Sequence, residues 1–358
     1  MFLAILGLNT LLLTLTAINA ISMRRPSRPR EISESVAVLL PARNEEENIE
    51  RISRELITQT NIENLRITIV NDNSSDLTEN IARTFQSERL KVINASEPRG
   101  GILGKVNALQ QGFEFSQSDK PQYTIAIDAD VSFSPDAISR AIATIEDLKL
   151  DFISAYPAQR ALTIGERLVQ PLLQWSWMST LLLRGAEKFP MPSTVVANGQ
   201  FFIVRSSALQ SIGGFIPAAH HVLDDMQLAR ALVAGGFKGT VITGSKLAAT
   251  RMYSSWRQIK DGYGKSLHRA FGGAIGSIIA ALFMAASGVA PLVGALLGDQ
   301  SALIALVMII ASRLIAASFS ASRFSDAVLH PISSIAFLYL LYYSWTHRSI
   351  VQWKGRTL

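Results

Sequence analysis

The apolar residues of this chain are gathered at its two ends, and that distribution decides which folds are open to it. Residues 1–23 carry no charged side chain, a stretch long enough, at about 1.5 Å rise per residue, to cross a hydrocarbon core of about 30 Å. Residues 270–298 are uncharged, 301–322 are apolar except for Arg313, and 327–346 are apolar except for His330. They read as two to three further spans. Four spans in all would carry the carboxyl end to the outer side, yet the tail 347–358 holds His347, Arg348, Lys354 and Arg356, which favour the inner side. One segment is therefore expected to be re-entrant or interfacial, and the interruption at Gly288 and Pro291 makes 270–298 the first candidate. Arg313 is expected to face other helices or to snorkel, since a charge exposed to lipid at mid-depth costs about 3 kcal/mol or more.

The first apolar stretch is expected to be a retained anchor. A cleaved leader would show a basic start and an Ala-x-Ala pattern ahead of the cleavage point, and neither precedes Arg24. Arg24, Arg25, Arg28 and Arg30 follow immediately and place the next segment on the cytoplasmic side of the inner membrane. The net charge of +6 comes largely from residues flanking the membrane segments, which suits an anionic lipid surface. With 48% hydrophobic and only 17% charged residues, the chain is too apolar for an ordinary soluble protein. Its 358 residues can hold one sizeable core with accessory structure, or two small domains. The absence of cysteine excludes disulfides and thiolate metal sites. No basic run interleaved with aromatics is present, so nucleic acid is not an expected partner.

Between the ends, residues 36–237 alternate short β-branched runs with helical periodicity, the pattern of an α/β, doubly wound, mostly parallel sheet with crossover helices. Strands are expected at 36–40, 65–70, 90–93, 123–127, 152–155 and 198–204, and helices near 46–58, 76–86, 105–115 and 135–148. In such a sheet, ligands bind outside the carboxyl ends of the strands. The run 123–127 ends there in Asp128-Ala129-Asp130, two carboxylates separated by a residue too small to obstruct. They offer hard oxygen ligands to a divalent cation that also holds substrate phosphates, although Ser134, Pro135 and Asp136 also mark an ordinary turn into a helix.

Other polar clusters fall at corresponding places. After Pro41, the run Ala42-Arg43-Asn44-Glu45 leaves the first strand for a helix, whose free backbone N–H groups, with Arg43, would attract anions. Asn71-Asp72-Asn73 ends the second strand in a turn able to grip a base or ribose, or simply to cap a helix. Lys105 opens a helix behind Gly100 and Gly101 and can meet a phosphate as a point charge. Asp224 and Asp225 open another helix. Their dipole compensation there would lower a carboxylate's pKa, so a catalytic Asp225 would need desolvation or its neighbour's charge to raise it.

In this order and spacing, Pro41-Ala42-Arg43-Asn44-Glu45, Val70-Asn71-Asp72, Gly104-Lys105-Val106-Asn107-Ala108, Asp128-Ala129-Asp130, the run from Gly199 to Arg205, Gly213-Gly214-Phe215 and Leu223-Asp224-Asp225 resemble the family 2 glycosyltransferases. The likeness is to the membrane-anchored members that glycosylate carotenoids, hopanoids and other lipids, and it extends over residues 36–265. The resemblance implies a GT-A (nucleotide-diphospho-sugar transferase) domain over 31–265 with terminal transmembrane helices, Mg²⁺ or Mn²⁺ as cofactor, and inverting transfer of a hexose, glucose from UDP-glucose, to a lipid in the bilayer. Pro41, Arg43, Glu45, Asp72, Lys105 and Asp128 would then lie along the donor, and Asp130 would hold the metal. Asp225 would be the general base, with Asp224 replacing the family's glutamate. Gly199, Gln200, Trp256 and Arg257 would lie on the acceptor side.

Processive members carry Gln-x-x-Arg-Trp before their next span, whereas this chain has Tyr253-Ser254-Ser255-Trp256-Arg257-Gln258, with the Trp and Arg reversed. A polysaccharide synthase and a catalytically silent nucleotide-binding scaffold are the alternatives. The segment 168–183, with Trp175 and Trp177 among leucines, is either an acceptor surface or plain core.

Overall fold

The structure, a computed structural model, describes residues 1–98, 100–347, 352–353 and 356–357. The tail residues Arg348 and Lys354 lie outside the described residues. The chain divides into two compact units, one of Arg24–Ala158 with Gly185–Thr250, the other of Met1–Met23, Gln159–Arg184 and Arg251–Leu358. Where the sequence suggested an uninterrupted domain from 31 to 265, 159–184 and 251–265 group with the terminal helices.

Among the described residues, ten short strands fall between 36 and 250, all but the end of β7 in the first unit: β1 Val36–Ala42, β2 Leu65–Asn71, β3 Leu90–Asn94, β4 Tyr123–Ile127, β5 Val131–Phe133, β6 Phe152–Tyr156, β7 Ala158–Gln159, β8 Phe201–Arg205, β9 Gly239–Thr243 and β10 Ala248–Thr250. Seven of them form the main sheet in the order β3-β2-β1-β4-β8-β6-β9. β1 runs parallel to both β2 and β4, while β8 is antiparallel to both of its neighbours. β5 and β10 pair in a small separate sheet.

Strands covered on both faces read as continuous apolar runs, and every residue of β1 is buried. Val36, Val38 and Leu40 pack into one core with Ile49, Ile52 and Leu56 of the helix Ile49–Ile57. Leu39 points the other way, into a core with Val106, Leu109 and Phe113 of the helix Gly104–Ser116. Pro41 lacks an N–H, and it lies where pairing with β4 has already ended at Leu39, so no ladder bond is lost. The helix Gly104–Ser116 lies hard against the sheet: a Cβ at Gly112 would sit 2.8 Å from Val70 Cγ2.

Among the described residues, the second unit contains four helices long and apolar enough to cross a membrane: Phe2–Ser22, Ala274–Leu296, Gln300–Ser320 and Phe324–Thr346. The interruption at Gly288 and Pro291 is a π-helical turn, Ala285–Val289, that leaves the surrounding helix continuous. Arg313 is buried and faces inward, with its guanidinium 5.8 Å over the Trp175 ring. The segment 168–183 falls mostly in the helix Ile164–Thr180, which a Thr163/Glu166 capping box starts and which buries Trp175 and Met178 completely. Trp175 is packed as core: its indole N–H donates to Ser312 Oγ at 2.9 Å.

Candidate active site

β4 delivers Asp128 to the carboxyl edge of the sheet, and the helix Gly104–Ser116 brings Lys105 to meet it from the covering layer. Lys105 Nζ lies 2.7 Å from Asp128 Oδ1 and 3.6 Å from Asp224 Oδ2. One ammonium thus bridges carboxylates that are far apart in sequence. Burial disfavours its charge, but Asp128, Asp224 and Asp225 outweigh that and hold the lysine protonated above its ordinary value. Its bonds in this arrangement go to carboxylates, where the sequence suggested a bare charge for a phosphate. Lys105, Asp128, Gly199, Asp224 and Asp225 line one pocket, whose apolar side includes Phe202 and Phe215. Asp128 of the first acidic pair and both members of the second therefore share a cavity.

Asp225 sits in the first turn of the helix Asp224–Ala234. Its Oδ2 accepts the Gly199 N–H and its Oδ1 accepts the Met226 N–H, both at 2.7 Å. Those bonds and Lys105 favour the anion, yet burial and the adjacent Asp224 charge prevail and push its pKa up to about 6. A side chain at 199 would crowd the base, since a Cβ there would come within 3.2 Å of Asp225 Cβ. Gln200, buried beside it, donates its backbone N–H to Asn198 Oδ1 at 2.9 Å, ordering the turn that enters β8.

Asp130, outside that lining, follows on the same turn. Thr250 Oγ1 of β10 donates to its Oδ2 at 3.2 Å. Burial, then Asp128, then Glu45 raise Asp130 to about 6. Among the described residues no group of three His, Asp or Glu side chains is arranged to hold a metal by itself. Two carboxylates are nevertheless the usual protein share of a Mg²⁺ site completed by substrate phosphates. Asp130, raised by burial and by the nearby Asp128 and Glu45 carboxylates, fits that role on the chemistry of its donors.

The loops after β1 and β2 form a second cluster. Arg43 donates to the Asp72 carbonyl at 2.6 Å and the Asn73 carbonyl at 3.2 Å, with the buried Asp72 carboxylate 3.9 Å away. The free N–H groups expected after Pro41 are taken: those of Asn44, Glu45 and Glu46 donate to Ser74 Oγ, Thr78 Oγ1 and Asp76 Oδ2. The helix also starts at Ile49, three residues later than expected, so that loop is a mutual clasp and its amides do not form an open anion site. Asn71 is likewise internal, its amide donating to Glu79 and Asn94 at 3.0 Å.

Trp256 and Arg257 belong to the other unit. There Trp256 stacks on Tyr339 with ring centroids 6.0 Å apart, and Arg257 is exposed with Asp261 3.9 Å away. Sequence reasoning missed Thr250, whose signal is only a hydroxyl in a three-residue strand. It also missed Phe202, although alternation along β8 would have placed that residue on the face shared with the pocket.

The family model described as glycosyl transferase family 2 matches residues 37–213, a region that includes Lys105, Asp128, Asp130 and Gly199. A 4,4'-diaponeurosporenoate glycosyltransferase of Staphylococcus aureus (strain USA300) is 24% identical over 340 residues, spanning 90% of this chain and 88% of its own length. The protein of that name from strain MRSA252 is 24% identical over 341 residues with the same coverage. Among solved structures, a mannosyltransferase from Pyrobaculum calidifontis in complex with GDP-Man and Mn²⁺ shares the fold, with a TM-score of 0.57 at 17% identity over 97% of this chain and 99% of that one. Sheet order, pocket and matches agree: the chain is a family 2 glycosyltransferase with a GT-A fold.

Proposed function

We propose that the chain transfers a hexose, glucose from UDP-glucose, with inversion to a hydroxyl or carboxyl group of a membrane lipid of the carotenoid, hopanoid or glycerolipid kind, at the cytoplasmic face of the inner membrane. The observation that carries the reading is the position of Asp225: it shares a pocket with Lys105 and Asp128 and is raised to about 6. A base whose pKa lies a little below neutral pH is ionised at pH 7 and still proton-seeking, which is what removal of a hydroxyl proton requires. Asp225 would take that proton as the acceptor oxygen meets the anomeric carbon and the bond to the diphosphate breaks, with oxocarbenium character in between.

Gly199 and Met226 N–H groups fix the carboxylate through one lone pair on each oxygen, leaving the others for the acceptor. Lys105 keeps Asp128 and Asp224 from repelling the donor. Asp130 would hold Mg²⁺ or Mn²⁺, which when bound neutralises charge on the departing diphosphate. Glu45, Arg43, Asp72 and the Pro41 turn would border the nucleoside side, and Gly199 with Gln200 the acceptor side.

A lipid acceptor is supported by four helices long enough to cross a bilayer and by the relatives named for 4,4'-diaponeurosporenoate. The test is to incubate membranes containing the protein with a panel of radiolabelled nucleotide sugars and to chromatograph the extracted lipids. UDP-glucose should label one lipid band. Label in unextractable polymer would point to a processive synthase, and no turnover of any donor would point to a silent scaffold.

A further inference from the structure

We propose that Arg51 is a positioning residue for the Asp128-Ala129-Asp130 turn, an inference that rests on the reading of Asp130 as the metal-holding carboxylate. The helix Ile49–Ile57 buries Ile49, Ile52, Ser53 and Leu56 in the core. Arg51 and Glu55, with Gln59 just beyond the helix, recur every fourth residue and so form one stripe. Each of the three grips a successive part of the segment 129–138.

Arg51 Nη1 donates to the Val131 carbonyl at 2.8 Å and to Ser132 Oγ at 2.7 Å, while Nη2 reaches the Ala129 carbonyl at 3.3 Å. Glu55 Oε2 accepts the Phe133 N–H at 2.8 Å. Gln59 donates to the Ser134 carbonyl at 2.8 Å and accepts the Ile138 N–H at 3.1 Å.

The two carbonyls held by Arg51 flank Asp130, one on the peptide that enters it and one on the residue after it. Fixing both sets the backbone from which the Asp130 carboxylate projects. Thr250 Oγ1 donates to that carboxylate at 3.2 Å. An arginine on a helix surface ordinarily pairs with a glutamate four residues on, for a few tenths of a kcal/mol. Here the Arg51 to Glu55 distance is 3.4 Å, longer than each of its bonds to the turn. Arg51 Nη2 also reaches Asn48 Oδ1 at 3.4 Å, and Asn48 donates to Glu45 Oε2 at 2.9 Å. Through Asn48 the same guanidinium ties the turn to the carboxylate that neighbours Asp130. A planar fork with two amino groups spans these acceptors; an ammonium at one point cannot.

Groups that orient a metal ligand typically change metal affinity by roughly 10- to 100-fold when removed. The experiment uses the full chain in detergent, with Mn²⁺ titrated in the presence of UDP and free Mn²⁺ followed by electron paramagnetic resonance, beside thermal unfolding without metal. Arg51→Lys should weaken Mn²⁺ binding by roughly 10- to 100-fold in protein that still unfolds cooperatively. Gln59→Ala, which loosens the same stripe beyond Asp130, should lower the melting temperature while keeping wild-type Mn²⁺ affinity.

Wild-type affinity in Arg51→Lys overturns the proposal, and so does an equal loss in Gln59→Ala, which would make the effect general loosening. Asp130→Ala separates the two levels. If it binds Mn²⁺ as the wild type does, the metal reading fails and the proposal with it; if it loses binding while Arg51→Lys does not, only the role of Arg51 fails.

Discussion

Asp225 is the proposed base, and its environment makes two predictions. Replacing it by Asn keeps the shape and one acceptor oxygen but removes the base, so kcat should fall by roughly 10²- to 10⁴-fold with UDP-glucose binding retained. Transfer assays beside calorimetric donor titration check this, and turnover near the wild-type rate would remove Asp225 from its role. The second prediction concerns pH. A carboxyl group raised to about 6 by burial and by Asp224 is protonated at pH 5 and ionised at pH 7, so kcat for a hydroxyl acceptor should climb through pH 6 and then level off. A carboxylate acceptor arrives already ionised and needs no base, so a flat profile would select that class.

Stability should run the other way. Because the folded pKa lies above the unfolded one, ionisation is penalised in the native state, and the penalty appears as pH rises from about 4 to above 6. The amide of Asp225→Asn leaves one of the Gly199 and Met226 N–H groups without its acceptor, a loss that does not vary with pH, so the melting temperature of the wild type should fall relative to that of Asp225→Asn as pH rises from 4 to 7.5. The residues that hold Asp225 and Asp130 in place were less legible than the carboxylates themselves. Asp128, Asp130, Asp224 and Asp225 advertise charge wherever they occur. Arg51 does its work on main-chain carbonyls as far as 80 residues away, where the partner sequence leaves no trace, and the pattern around it reads as an ordinary charged helix face.

At the scale of elements, the site depends on how closely the helix Gly104–Ser116 lies on β1 and β2. Gly112 permits that approach: a Cβ would meet Val70 Cγ2 at 2.8 Å and Leu39 Cδ2 at 3.4 Å. Gly112→Ala should force the helix outward and destabilise the fold by about 1–3 kcal/mol, the usual range for overpacking. Because Lys105 rides on that helix, donor affinity should drop as well. Thermal unfolding and UDP titration of one preparation test the link; lost stability with unchanged UDP affinity would show that Lys105 is positioned independently. β1, β2, β3, β4 and β6 were legible because continuous apolar, β-branched runs bounded by polar turns give their length to within two residues, whereas β5 and β7, at two or three residues, are too short to carry a pattern. The reversed direction of β8 was not: its residues are buried on both faces, so they fit a parallel or an antiparallel slot equally well. β9 escaped because Gly239-Thr240-Val241-Ile242-Thr243 is short and follows Gly235 and Gly236, where the helical pattern ends in a turn.

At the scale of the whole molecule, the sequence shows where apolar helices occur but leaves their direction to the balance of flanking charge. Part of that charge is engaged. Arg24 pairs with Glu187 at 2.7 Å and Arg30 with Asp147 at 2.6 Å, so the first basic cluster also straps the chain onto the pocket unit. Four apolar helices would return the carboxyl end to the side where the chain began, and the continuous course of Ala274–Leu296 through its π turn favours a full crossing over a re-entrant loop. The lack of any cysteine makes this directly measurable with single introduced thiols. Ser118→Cys, exposed in the pocket unit, should react with an impermeant maleimide only after cells are lysed. Leu297→Cys, 77% exposed between two of the apolar helices, should react in intact cells. Protection at both positions before lysis would mean that Ala274–Leu296 enters and leaves by one face. Labelling of position 118 in intact cells would place the pocket on the outer side, away from cytosolic UDP-glucose, and would end the proposed donor assignment.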